Sequence, residues 1–544
     1  MKIHASLLFA LLMVIGIHPV ARLSAAAPDA DLEKSRTRAQ KLVEQGNHAE
    51  SLALYKTLLQ RTDHQGQNLA IDLNSAKDCL AHLNHWEDLD ALVDDAVQRH
   101  PDDWQLLKMA GQISILSEQH FGHVQNNTFH RGQAESSGRW VNCFLQDRAR
   151  GLGFVQRALK KMLATPEVPV SDRGRFFNDC AMFFLNGVNA TTLLTLTDLV
   201  NPPDYLSGEG PENPNPYGWR GRGYYPQQSI ATPVGADGMP VYHHLPESWE
   251  AAKTDGERWR WLLAQAEKTD ERSAIEARLS FAQFMQTQIG EQTLVQWHQR
   301  GGATDPKELA DAFQVLKTLK DDETYARLAT GAKRFAMPDE FNYIKLLSGI
   351  ADNKVDIIRA AQALGGLAQC FENRRQLDRA AEHWQRIVDL GPNGNYQWAN
   401  ASDRRAQIIG NWGRFDGTDS QVAGQKPVLG FVFRNATETK FTARRVNISK
   451  LLADIKAYMI REPHDPDWQR ININNLGYRL LDKDSKKYIG EEVAKWSVAL
   501  EPAAGHEEKR EGVSVPLEAA GAYWIEAQTT GGNRSQIMLW LADT

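Results

Sequence analysis

Residues 493–544 read VAKWSVALEPAAGHEEKREGVSVPLEAAGAYWIEAQTTGGNRSQIMLWLADT, and their apolar side chains alternate with polar ones. Val513 and Val515, then Tyr523, Ile525 and Ala527, then Ile537, Leu539 and Leu541 recur at every second residue. That is the period at which side chains of a strand reach the same face. Gly531-Gly532-Asn533 parts the last two runs with residues that accept the positive φ of a tight turn, so 521–544 is predicted to be an antiparallel hairpin.

Working upstream, 428–434 and 440–446 predict two more strands around the turn Asn435-Ala436-Thr437-Glu438. Ser449 stands where a helix would be capped, Leu451, Leu452, Ile455, Tyr458 and Met459 follow at helical spacing, and Pro463 ends the run. A second strand set begins near Leu476. Strands with one inserted helix predict a β-sandwich over 426–544, because each sheet has one apolar face to bury. The Gly- and Asn-rich stretch before it, with Trp412 and Phe415 as isolated anchors, predicts a linker over 408–425.

Further back the period changes from two to 3.6. Leu364, Leu367, Ala368, Phe371, Leu377, Ala380, Trp384, Ile387 and Pro392 fit a tetratricopeptide-type helix pair of about 34 residues, and 69–101 repeats the pattern with Trp86, Leu89, Val93, Ala96 and Pro101. Ala110-Gly111 supplies small residues where paired helices approach closely. Amphipathic spacing over 149–163, 173–185, 255–267, 271–290, 306–319 and 323–335 predicts further helices. A helix pair cannot cover its own apolar stripe, so stacking into an irregular α-solenoid is the expected architecture of 28–200 and 247–407. Between them, 201–246 is too dense in proline and glycine for either period and predicts a long loop. Its Tyr217, Trp219, Arg220, Arg222, Tyr224 and Tyr225 have the aromatic and arginine composition of a protein-contact surface.

The 544 residues are 42% hydrophobic and 24% charged, which fits a globular chain of several domains. A net charge of −6 without a basic block argues against nucleic acid as partner. Residues 1–27 combine Lys2, an apolar run over 7–17 and Ser24-Ala25-Ala26-Ala27. They predict a cleaved secretory signal and an exported, periplasmic or extracellular protein with no membrane span after cleavage. Cys79, Cys143, Cys180 and Cys370 stand far apart in apolar contexts and are expected to be buried free thiols, with one or two disulfides as the alternative.

Motifs for chemistry are weak. Tyr242-His243-His244, His120, His123 and His130 lack the i, i+4 spacing and carboxylate of a zinc site. Gly151-Leu152-Gly153 lacks a third glycine at phosphate-loop spacing, and the carboxylate pairs Asp94-Asp95 and Asp321-Asp322 read as solvated helix faces. No catalytic constellation, metal site or cofactor is expected.

Several strings together resemble the helical region and first macroglobulin-type β-domain of bacterial alpha-2-macroglobulin-like proteins. They are Phe129-His130-Arg131-Gly132, the D-R-x-R-x-L-G-like run at 147–153, Gly410-Asn411-Trp412-Gly413-Arg414-Phe415, the Trp-bearing 494–496, V-x-V-P-L at 513–517, Gly521-Ala522-Tyr523 and the G-N-x-S turn at 532–535. The resemblance implies a non-enzymatic peptidase-inhibitor scaffold, with a protease or further macroglobulin domains as partner. It also implies that bait and thioester regions would lie beyond these residues. Gly290-Glu291-Gln292 matches the tail of the thioester motif, yet Ile289 holds the place of the nucleophilic Cys, so no thioester is expected there. The alternative reading is a freestanding repeat adaptor of the bacterial envelope.

Overall fold

The computed structural model describes residues 30–117, 119–132, 138–207, 232–294, 314–391, 397–417, 420–461 and 485–543. The predicted signal 1–27 lies outside them, as do most of the predicted loop, the start of the 306–319 helix and the strand set expected near Leu476.

An N-terminal helical region is followed by small, largely antiparallel sheets. In chain order its helices are α1 Ala30–Glu44, α2 His48–Leu59, α3 Gln67–Leu83, α4 Leu89–Arg99, α5 Trp104–Leu116, α6 Phe144–Leu163, α7 Val170–Leu185, α8 Asp255–Ala266 and α9 Glu271–Ile289. After these come α10 Tyr343–Ala351, α11 Ile357–Asn373, α12 Leu377–Asp389 and α13 Gln397–Ile409. Sequence neighbours pack in pairs, and one apolar core runs from Leu32 to Ile408. The α5–α6 pair packs backbone to backbone. A Cβ on Gly111 would come within 2.9 Å of the Gly151 carbonyl, and one on Gly151 within 2.9 Å of the Gly111 carbonyl, so both positions need glycine for the backbones to meet.

Two β-elements interrupt the helices. Strands β1 Phe121–Gln125, β2 Thr128–Arg131 and β3 Arg139–Asn142 form a sheet of order β2-β1-β3, where an all-helical 28–200 was expected. Asn126 and Asn127, both at positive φ, make its two-residue turn. The predicted helix over 323–335 is instead a hairpin, β4 Glu323–Leu328 with β5 Gly331–Ala336. Thr324, Ala326 and Leu328 are buried while Glu323, Tyr325 and Arg327 are less so, a period of two that the helix-forming Ala, Arg and Lys residues disguise.

The sheets of the C-terminal region take β6 Trp412–Phe415, β7 Gln421–Val422, β8 Val428–Arg434, β9 Glu438–Val446, β10 Ile489–Ala499, β11 Lys509–Ser514, β12 Gly521–Thr529 and β13 Arg534–Ala542. One has the order β10-β9-β12-β13-β7, the other β11-β8-β6, and both contribute to one apolar core. The final hairpin pairs antiparallel, Ile525 opposite Ile537, as the alternation predicts. Helix α14, Ile448–Arg461, is inserted after β9, and its cap is Asn447, whose side chain accepts from the Lys450 N–H, rather than Ser449. The stretch 408–425, predicted as a linker, holds the end of α13 and the strands β6 and β7. Helix α13 reaches Ile409 with Ala401 and Ile408 in the helical core, and Trp412 already starts a strand of the β-region.

Candidate functional site

Tyr217, Trp219, Arg220, Arg222, Tyr224 and Tyr225, the residues expected to form a contact surface, lie outside the described residues. What the structure does show is how the chain is tied down on either side of 208–231. On the entry side Tyr205 donates its hydroxyl to Asp147 Oδ1 at 2.8 Å, and its ring stacks on Phe129. On the exit side the Ala329 N–H donates to the Thr232 carbonyl at 2.9 Å, and the Thr232 hydroxyl donates to the Gln288 carbonyl.

The entry anchor is a buried polar cluster. Arg131 donates to both oxygens of Asp147, at 2.8 and 2.7 Å, and to both of Asp90 at 3.0 Å, while His120 Nδ1 lies 2.8 Å from Asp147 Oδ2. Burial alone would raise the Asp147 carboxyl, but the Arg131 charge and the His120 and Arg131 hydrogen bonds outweigh it and hold it well below the usual carboxylate range. Burial, reinforced by the Asp147 charge, pushes the Tyr205 hydroxyl and the Cys143 thiol up. Cys143 therefore stays a thiol at neutral pH and is no nucleophile. Two strings quoted for the family resemblance supply this cluster: Arg131 comes from F-H-R-G and Asp147 opens D-R-x-R. Arg148, the next residue, donates to Asp255 at 2.7 Å across 107 positions.

Gly290-Glu291-Gln292 follows α9 as expected, but Glu291 is wholly buried rather than idle. Arg374 Nε donates to Glu291 Oε1 at 2.6 Å, the Tyr343 hydroxyl donates to the same oxygen at 2.8 Å, and the Cys370 thiol lies 3.6 Å from Oε2. Burial first, then Glu291, raises the Tyr343 hydroxyl and the Cys370 thiol. Nothing in the sequence marks this cluster, because its partners stand 52 to 83 residues apart.

The histidines weighed as a metal group stand apart. His120 belongs to the Asp147 cluster, and His123 stacks on His130 across β1 and β2. His243 is seated in an aromatic pocket with Tyr242, Trp259, Phe281 and Phe284. There Gly256 makes room for the ring, since a Cβ would come within 2.1 Å of His243 Nδ1. Burial, then the charges of Arg260 and His244, lowers His243 to about 4, and burial raises Tyr242 to about 12. The pocket leaves about 10 Å³ for the centre of a water molecule, room for a water and no larger ligand. Among the described residues no three His, Cys, Asp or Glu side chains converge as a metal group, and all four cysteines are buried and free.

Two further strings of the resemblance also meet. The Gly413 N–H donates to Asn533 Oδ1 at 2.8 Å, Asn533 Nδ2 donates back to the Gly413 carbonyl at 2.9 Å, and the Phe415 N–H donates to Ser535 Oγ at 3.1 Å. Asn411 Nδ2 donates to the Thr530 carbonyl at 2.7 Å. Thus G-N-W-G-R-F and G-N-x-S, 120 residues apart, form one interlocked corner. Trp496 stacks on Phe441, and the Tyr523 hydroxyl donates to the Ala519 carbonyl at 2.9 Å. No family model matches the chain, and no curated protein matches it.

Proposed function

We propose that the chain is the non-enzymatic scaffold portion of an exported alpha-2-macroglobulin-like peptidase inhibitor, with an irregular tetratricopeptide-like solenoid leading into a macroglobulin-like β-sandwich. One observation carries the reading: four of the strings on which the resemblance rests pair with each other, Arg131 with Asp147 and Gly413 with Asn533. Residues that owe their identity to a shared fold should be those that contact each other over long sequence distances, and these do. The polar clusters support a scaffold role, because their carboxylates are saturated by arginine, histidine and tyrosine donors and present no acid or base to a substrate. Among the described residues no helix is long and apolar enough to cross a membrane.

In this reading the chain docks a protease or further macroglobulin domains, and the segment around Trp219 and Tyr224, held at Tyr205 and Thr232, is the docking surface. The test incubates the purified mature chain with several endopeptidases, following association by interferometry and covalent capture by intact mass. Reversible association that weakens on Trp219→Ala, without a mass adduct, supports the proposal. A covalent adduct, or protection of a large protein substrate by this chain alone, overturns it. Absence of any association favours the envelope-adaptor alternative.

A further inference from the structure

Residues 241–246 cross α8 and α9 as a strap between two fixed points, the Val234–Pro240 bridge and the buried Trp249. The strap has no helix or strand, and among the described residues its one backbone hydrogen bond runs from the Val241 N–H to the Pro233 carbonyl at 3.1 Å. Its hold comes from three rings. Tyr242 stacks on Phe341 with centroids 4.3 Å apart, and His244 meets the same ring edge-on at 5.3 Å. Between them His243, the one buried residue of the strap, is inserted beside Trp259 and Phe284. That seat suits only an uncharged ring. From α8 it meets Arg260, a cation whose guanidinium donates to Glu340 Oε1 at 2.8 Å and so occupies the carboxylate of the 339–341 turn. From α9 it meets Phe281, Phe284 and Met285, none of them charged. Asp255 on α8 is bound by Arg148 and Arg258, and Glu276 and Arg278 on α9 by Arg359 and Glu267. Among the described residues no ion pair reaches His243, while Arg260 and His244 both oppose its protonation.

We propose that 241–246 is an acid-released strap: a proton on His243 drives its ring out of the seat between α8 and α9 and frees the strap, while the helices stay folded. Opening places the ring in water, where an imidazole titrates near its ordinary value of about 6.5, whereas the seated ring stays neutral down to about 4. The closed form is therefore favoured above the upper value, and the open form gains on it as pH falls between the two. The ratio of open to closed strap grows on the order of a hundredfold from about pH 7 to about pH 4. The release needs no partner. It is local because little besides the rings holds the strap, whereas α8 and α9 are fixed by the apolar core.

The test attaches a nitroxide to Leu245→Cys in the purified mature chain and follows its mobility by electron paramagnetic resonance. Leu245 is exposed and the four native cysteines are buried, so the label goes to the strap. The ratio of mobile to immobile label is expected to rise on the order of a hundredfold from about pH 7 to about pH 4. A second label at Gln283→Cys, on the exposed side of α9, should stay immobile over the same range. His243→Gln and His243→Phe, neither of which titrates, should each hold a constant ratio, and His244→Gln should keep the response. A strap label that ignores pH in the parent chain overturns the proposal, as does an acid response that survives both His243 variants. Loosening of the α9 label in step with the strap also overturns it, since the event would then be general unfolding.

Discussion

In the N-terminal region Arg36, Arg148 and Arg374, on helices or at a helix end, and Arg131, on β2 packed against α6, are buried against the buried carboxylates Asp72, Asp255, Glu291 and Asp147. The apolar core to which the sheets of the β-region contribute holds Phe415, Phe431, Phe433 and Phe441, and no ion pair among the described residues lies within it. The contrast follows from how each architecture sets its register. In a sheet, a slip of one residue turns the whole apolar face to solvent, so alternation alone specifies the pairing. Stacked helices can slide by a turn at little cost in buried apolar area, and a buried charge pair admits only one alignment. We read the arginines as register pins, which contribute specificity rather than net stability.

The largest effect that could break this comparison is Arg374→Met, which leaves Glu291 buried without its cation. A loss of about 3–5 kcal/mol is expected by chemical denaturation, and Arg374→Met/Glu291→Met should recover most of it. A double variant as unstable as the single one would mean that the pair is itself stabilising and that the pinning argument fails. In the β-region the matching change is Phe431→Ala, where no charge is stranded and the cost is that of a cavity, about 3–5 kcal/mol. Here no second substitution of a polar partner should rescue it.

A third probe uses pH. His243 is 6% exposed and lowered to about 4, so below an ordinary histidine value the unfolded chain takes up a proton that the folded one refuses. Stability therefore falls as pH drops from about 6.5 to 4, by on the order of 3 kcal/mol from this residue, and His243→Gln should flatten the slope over that window. An unchanged slope would place the ring in contact with water.

The smallest expected effect lies where the two regions join. Asn435, at φ +60°, donates to the carbonyls of Ile408 and Gly410 at 2.8 and 3.0 Å and accepts from His506 Nδ1 at 2.8 Å. Asn435→Ala removes these bonds and sets an alanine in the left-handed region, at about 2 kcal/mol. Limited proteolysis should then cut first at 410–411. Faster cleavage inside α11 or α12, with 410–411 resistant, would show that the regions are not separate units.

How much of this was legible in the sequence depends on the range of the interaction. The final hairpin, β8, β9 and the helix pair with Trp384 were readable, because each is governed by a local period and by turn residues close at hand. The hairpin at Glu323–Ala336 was misread because helix-forming residues mask its alternation, and Ala329-Thr330 before Gly331 carries no strong turn signal. Helix α13 was hidden by the asparagines and glycines around it. The Arg131–Asp147 pair surfaced only as fragments of a resemblance, with no sign that the two fragments touch. Glu291 with Arg374 left no trace at all, since a pair formed across tens of residues has no spacing rule to reveal it.

The touching backbones at Gly111 and Gly151 bear on how kinship of this chain could be traced. Apolar core positions trade Leu, Ile, Val and Met with modest loss, so after long divergence they carry little lineage information. A site where each carbonyl stands 2.9 Å from where the opposing Cβ would lie admits no such trade. Two glycines 40 positions apart, one in each of two consecutive helices, are thus a compact search key, and they should outlast the apolar core pattern.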